Sequence, residues 1–152
     1  MSYIFQIIET EELPVLTVRR EASIQDLPKI VGGIYQDVVS YIMEQSEEAV
    51  GPAIIGYFSV NADKLEVEIG FPLKHEIQGR GELALRHIPA GKKATAFHKG
   101  SYSDLGPVYD ALLQFLQEKG CEPTGVSYEY YYNSPEDVPE SELLTKVEFL
   151  LK

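Results

Sequence analysis

Hydrophobic and polar positions change their period several times along this chain. Residues 3–9 and 15–20 are short runs rich in β-branched and aromatic side chains, and they predict two strands with Leu13-Pro14 as a breaker between them. From Leu27 the spacing becomes three and four: Leu27, Ile30, Val31, Ile34, Val38, Tyr41 and Ile42 form the stripe of a helix that packs on a core. Ser23-Ile24-Gln25-Asp26 precedes the stripe in the Ser-x-x-acid form of a capping box. Gly32-Gly33 weakens the middle of that helix, by about 1 kcal/mol per Gly relative to Ala. After Gly51-Pro52 the period returns to two over residues 53–60 and 64–73, joined by Asn61-Ala62-Asp63. In the second of these runs Val67, Ile69 and Phe71 share one face, and Glu66, Glu68 and Gly70 the other.

The second half of the chain repeats this order. Residues 83–88 and 93–98 read as strands around Pro89-Ala90-Gly91, and Ser101-Tyr102-Ser103-Asp104 is a second capping box. Leu105, Val108, Leu112, Phe115 and Leu116 make a second helical stripe, stopped by Gly120. Residues 125–133 and 143–151 are strands again, with Pro135 and Pro139 in the loop between them. An offset of 78 places Ser23, Asp26 and Leu27 on Ser101, Asp104 and Leu105, and Phe71, Leu73 and Lys74 on Phe149, Leu151 and Lys152. Between these anchors the register slips, since Pro52 matches Pro123 at 71. The expected fold is α+β: tandem strand-helix-strand-strand repeats with antiparallel sheet, two main helices, pseudo-twofold symmetry and a central cleft. Repeat one covers about residues 1–74, a flexible connector about 75–81 that holds Gly79-Arg80-Gly81, and repeat two about 82–152.

Composition narrows the function classes. With 152 residues, 44% hydrophobic and 24% charged, the chain has the make-up of one soluble globular domain, and neither a disordered nor a collagen-like one. Thirteen Lys and Arg against 24 Asp and Glu give a net charge of −11, which repels phosphate backbones and anionic lipid, so neither nucleic acid nor membrane is an expected partner. The acids are unevenly placed. From residue 74 to 100 six Lys and Arg face two Glu, whereas from 121 to 152 seven acids face two Lys. The apolar run at residues 3–8 lacks a cationic start and is followed by Glu9, Glu11 and Glu12, which reads as a strand and not a signal peptide. No apolar stretch approaches the roughly 18 residues that span a bilayer. Cys121 is the only cysteine, which excludes an intramolecular disulfide and fits a reducing, cytoplasmic setting.

Candidate chemistry is sparse. His75, His87 and His98 with Cys121 do not form a metal-ligand spacing, so neither metal nor cofactor is expected. Gly79-Arg80-Gly81 lacks the pattern of a phosphate loop, and no Ser, Cys or Lys sits in a nucleophile motif. The segment from Tyr128 to Tyr132 holds four of the ten tyrosines around one acid, in a chain without Trp. Strand alternation puts Glu129 on the face of Tyr131, opposite Tyr128, Tyr130 and Tyr132. Two readings stand side by side: an edge strand of aromatic β-formers with a solvated Glu, or a carboxylate among phenol rings that attracts a flat organic cation, each ring face contributing about 0.5–2 kcal/mol.

Phe97-His98-Lys99-Gly100-Ser101-Tyr102 and Glu129-Tyr130-Tyr131-Tyr132-Asn133-Ser134-Pro135 together resemble the GyrI-like small-molecule-binding domain. That family also supplies the effector-binding half of bacterial multidrug-sensing transcription activators. Its pattern is His-x-Gly-x-Tyr at the opening of the second helix and Glu-x-Tyr-x-Asn-Asp-Pro at a strand end, and only Ser134 departs from it here. The resemblance implies an aromatic-lined cleft with Glu129 as its carboxylate and Tyr131 as the aromatic two residues on. It adds Tyr57, Phe58 and Glu68 as further cleft candidates and gives Tyr102 and His98 a structural place at the helix opening.

Three functions follow from the resemblance. The first is binding of hydrophobic, often cationic, small molecules by a stand-alone module, with Glu129 as countercharge and Tyr131, with Tyr57 or Phe58, as stacking surface. No helix-turn-helix lies outside the repeats, so DNA is not a direct partner, and signalling through a protein partner stays open. The second is hydrolysis of strained, cyclopropane-bearing DNA-alkylating natural products, with Glu129 or Glu68 handling the water and a Tyr hydroxyl the departing oxygen. The missing Trp is a departure from enzymes of the family. The third is a protein-binding inhibitor of DNA gyrase.

Overall fold

A computed structural model describes residues 4–58 and 63–152. In chain order the elements are β1 (Phe5–Thr10), β2 (Leu13–Ala22), α1 (Leu27–Glu44), β3 (Ala53–Tyr57), β4 (Leu65–Pro72), β5 (Ala84–Ile88), β6 (Gly91–Lys99), α2 (Leu105–Lys119), β7 (Pro123–Tyr131) and β8 (Leu144–Leu151). All strand pairs within the units described below are antiparallel, which makes the fold the α+β class that the periodicity predicts. Tyr3 and Val60, assigned to strands from the sequence, and the Asn61-Ala62 turn lie outside the described residues.

The chain divides into two compact units, one made of the segment up to Thr10 with Gly91–Lys152, the other of Glu11–Ala90. In the first unit the strand order is β1-β6-β8-β7, and α2 lies on one face of that sheet. Its core joins Ala94, Ala96, Val147 and Phe149 of the strands to Leu105, Val108, Leu112 and Leu116 of the helix. Each buried Leu, Val or Phe contributes about 1.5–3 kcal/mol by leaving water. In the second unit the order is β3-β4-β2-β5, with Leu27, Ile34, Val38, Tyr41 and Ile42 as the buried stripe of α1.

Strand partners differ from a simple reading of the repeats. β1 pairs with β6, and β5 pairs with β2, so the first strand of each repeat completes the sheet of the other. The links explain this. A two-residue hairpin needs positive φ, the province of Gly and Asn, but the links are Glu11-Glu12 and Pro89-Ala90, and none of these four residues has positive φ. The break falls at Glu11-Glu12 rather than at Leu13-Pro14. Pro14 sits inside the first two residues of β2, before the pairing with β4 begins at Val15, where its missing N–H costs no bond to that strand.

Both capping boxes act one turn earlier than expected. Ser23 Oγ accepts from the Asp26 N–H at 3.1 Å, and Ser101 Oγ from the Ser103 N–H at 3.2 Å, so each serine caps a single turn that feeds the helix. Gly120 ends α2 in the left-handed region at φ 68°, as its position predicts. Gly70 is required by close approach, because a Cβ there would lie 1.9 Å from the Leu16 carbonyl oxygen. The Gly79-Arg80-Gly81 connector makes specific side-chain contacts. Arg80 donates to both Glu44 oxygens at 3.1 and 2.9 Å and stacks over the Tyr41 ring, while the Tyr41 hydroxyl donates to the Gln78 carbonyl at 2.6 Å.

Candidate functional site

β7 and β8 decide how the tyrosine-rich segment is used. Glu129 stands opposite Val147, and Tyr131 opposite Thr145. Val147 belongs to the core under α2, so Glu129, Tyr131 and Thr145 share the helix-covered face. Tyr128 and Tyr130 are buried on the other face, where the Tyr130 hydroxyl donates to Glu148 at 2.9 Å and Lys146 lies 4.1 Å from the Tyr130 ring centre. Tyr132 is 43% exposed and pairs with Phe97 at 6.1 Å between ring centres. Four tyrosines adjacent in sequence therefore have three different environments, and one of them serves Glu129.

Glu129 is not the solvated acid of an edge strand. It is 7% exposed, and each of its oxygens receives a phenol: Tyr131 donates to Oε1 at 2.6 Å, and Tyr109, from α2, donates to Oε2. The Tyr102 ring meets that of Tyr131 edge-on at 5.6 Å. Among the described residues no Lys, Arg or His forms an ion pair with Glu129. Burial pushes its carboxyl above the ordinary 4.5, and the two phenol hydrogen bonds act against that rise. The Tyr102 hydroxyl is raised as well, by burial and then by the Glu129 charge.

The remaining predicted residues lie in the second unit. Glu68 is 2% exposed and carries its own countercharge, Arg19, at 3.5 Å, while Thr17 donates to it at 3.0 Å. Arg86 holds the same Thr17 hydroxyl at 2.9 Å. Phe58 lies under the Arg19 guanidinium at 4.6 Å, and Tyr57 closes β3 opposite Val67. Glu68 thus differs from Glu129 in having a cation of the protein beside it. His98 holds the opening of α2, its Nε2 at 2.9 Å from the Ser101 carbonyl oxygen, as the sequence implies.

Two members of the Glu129 site, Tyr109 and Tyr102, escape the sequence reading, as does the buried Thr145 on the same sheet face. Tyr109 lies four residues after Leu105 and three before Leu112, on the edge of the stripe, and that spacing is the signal that could have found it. The resemblance gives Tyr102 a structural place only, yet its ring reaches Tyr131. Thr145 is fully buried, and its hydroxyl has no hydrogen-bond partner among the described residues. Elsewhere, Glu12, Glu76 and His87 bring three ligand-type atoms within 4.8 Å of one another, a juxtaposition that sequence spacing does not show. All three are exposed, and His87 and Glu76 are hydrogen-bonded to each other. The His87 imidazole is raised mainly by that bond. The arrangement is that of a surface ion pair.

Residues 5–152 match the sequence model of the GyrI-like small molecule binding domain. Among proteins of curated function, none matches the sequence with comparable significance. Three proteins of known structure share the fold. EcmrR, in complex with DNA, superposes with a TM-score of 0.85 at 20% identity over 99% of this chain, which spans only 57% of the EcmrR chain. Its C-terminal domain alone gives 0.81 at 18%, covering 100% and 99% of the two chains. A hydrolase from Listeria innocua gives 0.72 at 14%, over 97% and 91%. SAV2435, bound to tetraphenylphosphonium, gives 0.65 at 11%, over 100% and 94%. Among the described residues no helix is long and apolar enough to cross a membrane.

Proposed function

The chain belongs to the GyrI-like small-molecule-binding family, and from that premise we propose that it takes up a hydrophobic organic cation, with Glu129 as countercharge and the Tyr131 and Tyr102 rings as the aromatic surfaces beside it. The observation that carries this is a buried carboxyl group held at both oxygens by phenols, with no ion pair to a Lys, Arg or His among the described residues. A buried charge without a counterion is costly, and hydrogen bonds offset only part of that cost. A ligand cation supplies the rest by Coulomb attraction, which strengthens as water is excluded, and by about 0.5–2 kcal/mol from each ring face. Glu68 has Arg19 in that role, and Phe58 already carries the same guanidinium, so both enter the proposal behind Glu129.

The experiment is a calorimetric titration of wild type and Glu129→Gln with tetraphenylphosphonium and a neutral triphenylmethanol control. The expected result is a loss of roughly tenfold or more for the cation in the variant, which corresponds to about 1.4 kcal/mol, and no change for the neutral compound. Equal cation affinity in the two proteins overturns the reading.

The raised Glu129 carboxyl favours a second reading, hydrolysis of a cyclopropane-bearing alkylator. Glu129 would take the proton of a water whose oxygen bonds to the cyclopropane carbon, and the electron pair of the breaking C–C bond would pass into a conjugated cyclohexadienone carbonyl of the substrate. The phenolate so formed, held by Tyr109 or Tyr131, would receive the proton back from Glu129. Catalytic accumulation of the ring-opened alcohol by wild type but not by Glu129→Gln selects this reading over simple binding.

A further inference from the structure

Thr145 is the buried polar group that the site as described leaves unused. It is 0% exposed, and among the described residues its Oγ1 has no hydrogen-bond partner. Buried hydroxyls are satisfied as a rule, because water no longer compensates them, and an exception calls for a cause. Its place is defined by register. Thr145 stands directly across from Tyr131 on β7 and from His98 on β6, on the face that carries Glu129. Tyr131 turns its hydroxyl along the strand to Glu129, and the His98 Nε2 is committed to the Ser101 carbonyl. Neither neighbour serves Thr145.

The other unit contains a control. Tyr57 faces Val67 in the β3–β4 pair as Tyr131 faces Thr145 in β7–β8, and Val67 is 1% exposed. Thr and Val have nearly the same shape, so a methyl group fills this buried corner without any polar cost. The hydroxyl occurs in the unit that also carries the uncompensated carboxylate, whereas the Val67 unit has Ile55 at the place of Glu129. We propose that Thr145 is a specificity-determining contact of the Glu129 site, whose hydroxyl bonds an oxygen or nitrogen substituent of the bound cation once Tyr131 is drawn off Glu129. The proposal rests on cation binding at Glu129, and it narrows the ligand class to cations that carry a hydrogen-bonding substituent beside an aromatic body.

The test uses the full chain and a matched pair of probes, tolyltriphenylphosphonium and its hydroxymethyl counterpart, each as ortho, meta and para isomers. At least one hydroxymethyl isomer should bind wild type roughly five- to tenfold tighter than its methyl match, as one added hydrogen bond allows. Thr145→Val should lose that gain, keep the affinity for the methyl probe, and melt at or above the wild-type temperature. Thr145→Ser, which retains the hydroxyl, should keep the gain. No gain for any isomer in wild type, or a gain that persists in Thr145→Val, overturns the role of Thr145. If Thr145→Val does not fold, the wild-type probe series and Thr145→Ala decide in its place. Loss of methyl-probe binding in Glu129→Gln is scored separately, so failure here is distinguishable from failure of the cation reading.

Discussion

Val31, Ile55 and Val67 of one unit occupy the positions that Tyr109, Glu129 and Thr145 occupy in the other. The correspondence follows from the helix starts, Leu27 and Leu105, and from the strand pairs Ile55–Ile69 and Glu129–Val147. Burial is nearly the same at each pair of positions: Val31 and Tyr109 are half-buried, and the other four residues are buried. The scaffold therefore sets how far each position is withdrawn from water, and the residue type sets what that withdrawal costs. Apolar side chains make one unit self-sufficient. In the other, a carboxyl group and two phenols satisfy one another in part, and burial disfavours the charged form of the acid under the helix. Polar groups of this kind reduce stability, and they are retained where they serve binding.

The comparison can be broken most severely by moving the charge. Ile55→Glu places a carboxylate where Val31 offers no donor, and should destabilise the fold by about 3 kcal/mol or more at neutral pH. Adding Val31→Tyr should recover part of the loss. Urea denaturation of the single and double variants measures both effects.

Glu129 itself provides a test in pH. Its folded pKa is raised above 4.5, so the folded state holds the proton more tightly. Its stabilising contribution is complete below 4.5 and is lost as pH rises through the folded pKa. Thermal melts of wild type and Glu129→Gln should therefore coincide below pH 4.5, and the wild type should fall progressively behind above it. Parallel curves across the whole range would contradict a buried, uncompensated carboxylate.

Tyr109→Phe removes one of the two donors to Glu129. Hydrogen bonds to charged groups contribute about 1.5–3 kcal/mol, so the variant should bind a phosphonium cation several-fold more weakly than wild type, and the gap should narrow as pH rises and Glu129 ionises. The smallest effect concerns helix ends. α2 stops at Gly120 with φ 68°, whereas the residues after α1 include Ser46 at φ 57°. Ser46→Gly should stabilise by about 0.5–1 kcal/mol in chemical denaturation, bringing the two ends into line.

Most of the elements were legible because their signals are local. The stripes from Leu27 to Ile42 and from Leu105 to Leu116 lie on the buried sides of α1 and α2, and β4, β6 and β8 fall within a residue or two of the runs that predict them. Glu129 and Tyr131 were legible as a same-face pair because strand alternation has a period of two. The burial of Glu68 against Arg19 was not, since those residues lie 49 positions apart and meet only through the β2–β4 register.

The sequence by itself determined the two repeats, the class of each element, and the face on which Glu129 lies, because period and turn chemistry act over a few residues. Only the tertiary structure decided that β1 and β5 exchange sheets, that Tyr109 reaches across from α2 to Glu129, that Tyr130 serves Glu148 instead, and that Thr145 is left without a partner. Each of these depends on which distant segments share a sheet or pack face to face. Such pairings are set by the free energy of the whole core, and no local pattern encodes them.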